Sequence, residues 1–299
     1  MTDQFDVIEA GAKGRRRWVG ILVLVGLLAI PVVSLVTSRE PEPVEPPAPT
    51  PTTRDPIASL SRVTSAPNVL HAKARVKGGE EIIEVVFPHG LRAEVRYPAE
   101  MQLDALGSRP FVGMWIRGEE FPVYRALVAP YAGDVEVTRG AKKPLRSFTP
   151  DVTLWPRPPG GGLVGQVMLF AYGPWRMAMY DRPAGLRFEA RMALATKLKG
   201  AVTKDGYLVL KASGPIRLAA PGDGRRRDPV GPQLLFGGGS GDMLTIVPTP
   251  GCALPEVPDA MGARGRPTES VCMGDFMVAA SGAEWFVKAA VSKIRIKVK

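Results

Sequence analysis

Two cysteines, two histidines and the run of three arginines at Arg225–Arg227 are the residues best suited to chemistry in this 299-residue chain. Cys252 and Cys272 enclose a Pro- and Gly-rich stretch that looks unable to support itself. An even cysteine count in an exported domain predicts a disulfide, because such compartments are oxidising. Closing a loop of this size stabilises by roughly 3 kcal/mol through chain entropy. The alternatives are two buried thiols or a reactive thiol, and a reactive thiol needs a histidine partner. Only His71 and His89 exist; they lie far upstream and read as strand and turn residues. Structural zinc usually takes four Cys or His ligands, so no metal and no cofactor are expected.

Arg225, Arg226 and Arg227 stand in the turn-rich segment GDGRRRDP, Gly222–Pro229. The planar guanidinium fork suits phosphate and carboxylate oxygens, so this loop is the candidate anion-binding site. Its bland reading is a solvated surface loop. Glu80/Glu81 and Glu119/Glu120 are adjacent pairs. Strand neighbours face opposite ways, so these pairs build no convergent carboxylate dyad. No catalytic residue is assigned. The Gly237–Gly241 run lacks the GK[ST] of a P-loop, and Asp242 stands where a nucleophile elbow needs glycine. It reads as a loop.

These residues need elements to position them, and the chain declares its organisation at the N-terminus. Trp18–Val36 is free of charge for 19 residues, with Lys13 and Arg15–Arg17 before it and Arg39, Glu40, Glu42 and Glu45 after it. Such a run is long enough to cross a bilayer as a helix. The positive flank keeps the N-terminus in the cytoplasm and exports the rest. The rival is a cleaved signal peptide, for which Val36-Thr37-Ser38 offers tolerable cleavage-site residues, but its apolar core is shorter and its A-x-A ending is absent here. Pro41–Pro56 holds seven prolines in sixteen residues and reads as an extended polyproline stalk. The expected organisation is therefore a cytoplasmic segment 1–17, an anchor helix 18–37, a stalk 38–60 and an extracellular domain 61–299. Residues 61–299 carry 33 basic against 22 acidic side chains, an excess of +11. Only 7% of residues are aromatic, and nucleic-acid binding wants aromatics among the bases.

Within the domain, alternating apolar and polar residues mark strands. Glu81–Phe87 and Leu91–Tyr97 flank Pro88-His89-Gly90, the signature of a hairpin with a short turn. Phe111–Ile116, Phe121–Val128, Val135–Thr138, Leu163–Tyr172, Trp175–Tyr180, Tyr207–Lys211 and Met243–Val247 are further candidate strands. Helices are expected over Pro98–Leu106, Ala184–Lys199 and Ala283–Val291, the last leading into a charged edge strand, Lys293–Val298. Gly and Pro together, 33 and 30 residues, disfavour a helical bundle. No repeat of 20–50 residues is visible, which excludes a solenoid or propeller. The fold class is α+β, strand-rich and antiparallel, with about three helices.

The anchor and stalk, the segment FPHGLRAEVRYPAEMQLDALG (Phe87–Gly107) and the Ser-Gly-x-x-x-Phe helix leading into a basic strand carry a resemblance. The chain resembles single-pass, membrane-anchored surface proteins of actinobacteria, a group with no known activity to carry over. The expectation is a plasma-membrane protein whose domain, on the outer side, binds an anionic envelope component or a membrane partner without catalysis. A cell-envelope hydrolase with unplaced carboxylates is the alternative.

Overall fold

A turn that ends in glycine converts the first two alternating segments into a hairpin. At Pro88–Gly90 the Phe87 N–H donates to Leu91 O, and the Gly90 N–H donates to Phe87 O. Gly90 sits at φ 97°, a region that side chains disfavour. The structure, a computed structural model, describes residues 68–117, 122–139, 141–158, 162–226, 228–239 and 241–299. The expected cytoplasmic segment, anchor helix and stalk lie outside the described residues. Among the described residues no helix is long and apolar enough to cross a membrane.

The described chain begins with β1 (Arg75–Lys77), β2 (Glu80–Val86), β3 (Arg92–Pro98), α1 (Leu103–Leu106), β4 (Ser108–Ile116), β5 (Val123–Val128) and α2 (Asp134–Thr138). It continues through β6 (Arg146–Thr149), β7 (Val152–Trp155), β8 (Val167–Tyr172), β9 (Trp175–Tyr180), α3 (Phe188–Lys197), β10 (Leu198–Val202), β11 (Leu208–Ala212) and β12 (Ile216–Leu218). It closes with β13 (Gly224–Arg225), β14 (Asp228–Pro229), β15 (Gln233–Gly237), β16 (Met243–Pro248), α4 (Asp259–Gly262), β17 (Thr268–Met273), β18 (Phe276–Ser281), α5 (Glu284–Lys293) and β19 (Arg295–Val298). The main sheet runs β17-β18-β16-β15-β4-β5-β9-β8-β7-β6, with β12 also on β4; a smaller sheet runs β1-β2-β3-β19. Every pairing is antiparallel. The strand-rich α+β class stands, with five α-helices among the described residues, three of them about a single turn.

The topology is doubled. Hairpin β4–β5, an excursion carrying α2, hairpin β8–β9, α3 and β10 are matched by hairpin β15–β16, an excursion carrying α4, hairpin β17–β18, α5 and β19. Both β8–β9 and β17–β18 turn on two residues led by a glycine at positive φ, Gly173 and Gly274. Aligning those turns places Ala178 on Ala279 and, through the registers, Val128 on Thr245 and Phe111 on Leu235. Arg109 then falls on Gln233. These residues pair with one another, Arg109 opposite Leu235 and Phe111 opposite Gln233. That reciprocity requires a pseudo-two-fold axis at the Pro110–Leu234 pair, perpendicular to the sheet.

Burial follows the same symmetry. Trp175, Met177 and Met179 enter one core, and their equivalents Phe276, Val278 and Ala280 enter the other. Each core is completed by exchange: β10 of the first half pairs with β11 of the second, and β19 of the second pairs with β3 of the first. On the opposite sheet face, Val137 of α2 and Met261 of α4 cover the equivalent residues Ala178 and Ala279.

Four expectations change. Val135–Thr138 lies in α2, where a helical turn exposes Val135 and buries Val137; a strand would have pointed both the same way. The helix expected over Pro98–Leu106 is split by Gln102, whose φ of 47° separates a 3₁₀ turn at Ala99–Met101 from α1. The helix expected over Ala184–Lys199 begins at Phe188 and yields to β10 at Leu198. Gly200 therefore lies within a strand, where a Cβ would stand 2.5 Å from the Tyr172 ring. The strand expected from Leu163 starts at Val167.

One buried ion pair fastens α3 to the sheet. Arg125 on β5 donates from Nε (2.7 Å) and Nη2 (2.6 Å) to Asp181 Oδ1, and Leu186 N–H donates to Oδ2 at 2.7 Å. Arg191 on α3 reaches Oδ2 at 3.4 Å and donates to Gln166 Oε1 at 2.7 Å. Asp181→Ala strands Arg125 among buried atoms, and unfolding in urea should show a loss of about 3–5 kcal/mol. Cys252 and Cys272 are disulfide-bonded with Cα atoms 5.6 Å apart. Thiol titration of the denatured, unreduced protein should find no free thiol, and reduction should lower stability by roughly 3 kcal/mol.

Candidate functional site

The two halves differ most where the second adds chain. The link from β3 to β4 covers residues 99–107, whereas the link from β11 to β15 covers 213–232 and contains β12, β13 and β14. Hairpin β4–β5 also continues three residue pairs past the point where its counterpart β15–β16 ends. The longer link packs on this extension. β12 pairs with Met114, Trp115 and Ile116.

Gly113 is where the two meet. Its N–H donates to Val230 O, and its carbonyl accepts from Ala219 N–H, each at 2.8 Å. A Cβ here would lie 2.7 Å from Val230 O and 2.8 Å from Tyr124 Cε2, so only glycine lets link and ring settle.

The outer side of this extension carries a ladder of cations and rings. Trp115 and Tyr124 are cross-strand partners with ring centroids 5.6 Å apart, edge to face. Arg217, opposite Trp115 on β12, places Cζ 4.2 Å from the Trp115 ring centre. Arg225 places Cζ 5.0 Å from that of Tyr124. Attraction between a guanidinium and a ring face is worth about 0.5–1 kcal/mol at exposed sites. Asp223 Oδ2 accepts from Arg217 Nη1 and from Ala220 N–H, each at 2.9 Å. The positions equivalent to Trp115 and Tyr124 in the second half are Gly239 and Gly241, so the internal symmetry does not repeat the ladder.

Of the arginines expected to bind anions, Arg225 joins this ladder and pairs across the β13–β14 turn with Asp228. Arg226 is exposed at the tip of that turn with φ 51°. Arg227 lies outside the described residues. Trp115, Tyr124 and Arg217 were not singled out in the sequence. Their alternation signalled strands, but nothing local showed that three distant segments share one surface.

The disulfide loop adjoins this site. Asp228 Oδ1 accepts the Asp259 N–H at 3.2 Å. A cleft of about 280 Å³ lies between the arginine turn and the disulfide loop, bordered by Asp223, Thr249, Cys252 and Leu254. Burial raises the Asp228 carboxyl above its ordinary range, against the lowering effect of that N–H. His71 Nδ1 contacts Asp104 O at 2.9 Å, and burial lowers the His89 pKa; neither joins the ladder. Among the described residues no group of three or more His, Cys, Asp or Glu converges as metal ligands would.

Comparison with family models, with curated proteins and with solved structures finds no match to this chain.

Burial is the main reason the Tyr124 hydroxyl is pushed up to about 12, helped by Asp228 and opposed by Arg225. Tyr180 is likewise pushed up to about 12 by burial and by Glu136. A tyrosine that resists ionisation only when folded stabilises the protein fully below its unfolded value near 10 and stops doing so as pH rises past its folded value. Urea unfolding should therefore show stability falling between pH 10 and about 12, with Tyr124→Phe removing part of the fall.

Proposed function

We propose that the protein is a single-pass plasma-membrane protein, anchored by residues 18–37, whose outer domain binds an anionic envelope polymer without catalysis. The ladder Arg217–Trp115–Tyr124–Arg225 carries this reading. Each guanidinium rests on a ring and is thereby pre-oriented, with N–H edges able to meet phosphate or carboxylate oxygens. Ordering long side chains costs conformational entropy on binding, and stacking settles part of that cost beforehand. A repeating polyanion suits two such groups better than a lone small anion, because neighbouring charges on one chain engage together. Arg226 at the turn tip and the +11 excess of residues 61–299 add a wider attractive field.

The test uses poly(glycerol phosphate) as probe and the full-length protein. Binding should weaken as salt rises, since exposed charges are screened over about 8–10 Å near physiological ionic strength. The double variant Arg217→Ser, Arg225→Ser should lose up to about 2 kcal/mol of affinity by titration calorimetry. Lysine at both positions should restore only part of it, because an ammonium lacks the stacking fork. No binding at low salt, or binding indifferent to both arginines, overturns the reading.

A further inference from the structure

The sheet edges are protected unequally. In the main sheet the far edge, β6, is four residues long, carries Arg146 and has a register shift between Ser147 and Thr149. In the smaller sheet one outer strand, β1, has three residues including Arg75 and Lys77; the other, β19, carries Arg295 and Lys297. Short, basic or distorted edges discourage pairing with other chains. The other end of the main sheet, β17, is six residues long, TESVCM, with Glu269 its one charge. Its register against β18 is unbroken.

The pseudo-two-fold makes the contrast sharper. The strand equivalent to β17 is β8, and its outer side is occupied: Val152–Trp155 of β7 pairs there, antiparallel, with Val167–Phe170. The first half therefore fills a site that the second half leaves open among the described residues. Which peptide groups are open follows from one bond. Gly282 N–H donates to Pro267 O, so the alternation of an antiparallel ladder turns Glu269, Val271 and Met273 toward β18. Thr268, Ser270 and Cys272 then direct their N–H and C=O groups outward.

We propose that β17 is a self-association edge, at which two copies of this chain join antiparallel about a two-fold axis through Ser270. In that register Ser270 faces Ser270, Thr268 faces Cys272 and Glu269 faces Val271. Outward groups meet outward groups, and no like charges stand directly opposite. A two-fold contact of this kind uses the same patch on both copies and closes without further growth. It continues the main sheet through the dimer, as β7 already continues it at the other end.

The experiment measures the mass of the full-length chain in non-ionic detergent, by light scattering and sedimentation over a range of concentrations. A concentration-dependent dimer is expected. Ser270→Pro removes an outward N–H from each copy and leaves the bonds to β18 intact, a placement that edge strands tolerate. It should raise the dimer dissociation constant by about tenfold or more, with unchanged circular dichroism and melting temperature. Ser270→Lys sets two like charges face to face, should have the same effect, and decides the matter should the proline variant not fold. A monomer at every concentration, or a dimer that neither folded variant weakens, overturns the proposal.

Discussion

Strands β4 and β15 meet over four residue pairs, Ser108–Phe111 against Phe236–Gln233, and the two halves of the domain are arranged around that seam. It holds the halves in antiparallel register and places both helices on one face of a single sheet. Yet the seam alone would leave each core open on one side. β11 closes the core beneath α3 and belongs to the second half; β3 closes the core beneath α5 and belongs to the first. Burial of apolar surface thus depends on the halves together, and the Asp181 ion pair acts inside that constraint by setting where α3 begins.

Departures from the symmetry are where the molecule acquires distinctive surface chemistry. One is the lengthened link 213–232, which lies across the extended β4–β5 hairpin and carries Arg217 and Arg225 to the rings of Trp115 and Tyr124. The other is the hairpin β6–β7, present beside β8 and, among the described residues, lacking an equivalent beside β17. Each added segment solves a local problem of covering. The first leaves cations oriented toward solvent; the second shields an edge whose counterpart stays open.

Local signals told a good deal of this. The Pro88–Gly90 hairpin, the break between β8 and β9 after Tyr172 and the passage from a helix into the basic last strand were all legible, since each depends on a few adjacent residues. The disulfide was legible because two cysteines allow one pairing. The doubling was hidden, because the equivalent strands share burial pattern and register but little composition: Trp175, Met177 and Met179 answer to Phe276, Val278 and Ala280. Val135 and Val137 alternate like a strand and failed as a guide, since in so short a segment two residues fit either period. Of the ladder, the sequence offered Arg225 alone. Cross-strand neighbours such as Trp115 and Arg217 depend on register, which no short window contains.

The pairing of β3 with β19 has a kinetic meaning. Arg96 lies opposite Arg295, so one of the first strands of the domain waits for the last. Closing so long a stretch of chain costs entropy before the contact returns any stability, and such topologies fold slowly. The core beneath α3 needs nothing beyond Ala212 and Val230 and can consolidate early as the chain emerges. The core beneath α5 cannot close until β19 has emerged. Until then β3, with Ala93, Val95 and Tyr97 on its inner face, is paired on the β2 side alone, and this is the interval in which the nascent chain is most open to aggregation.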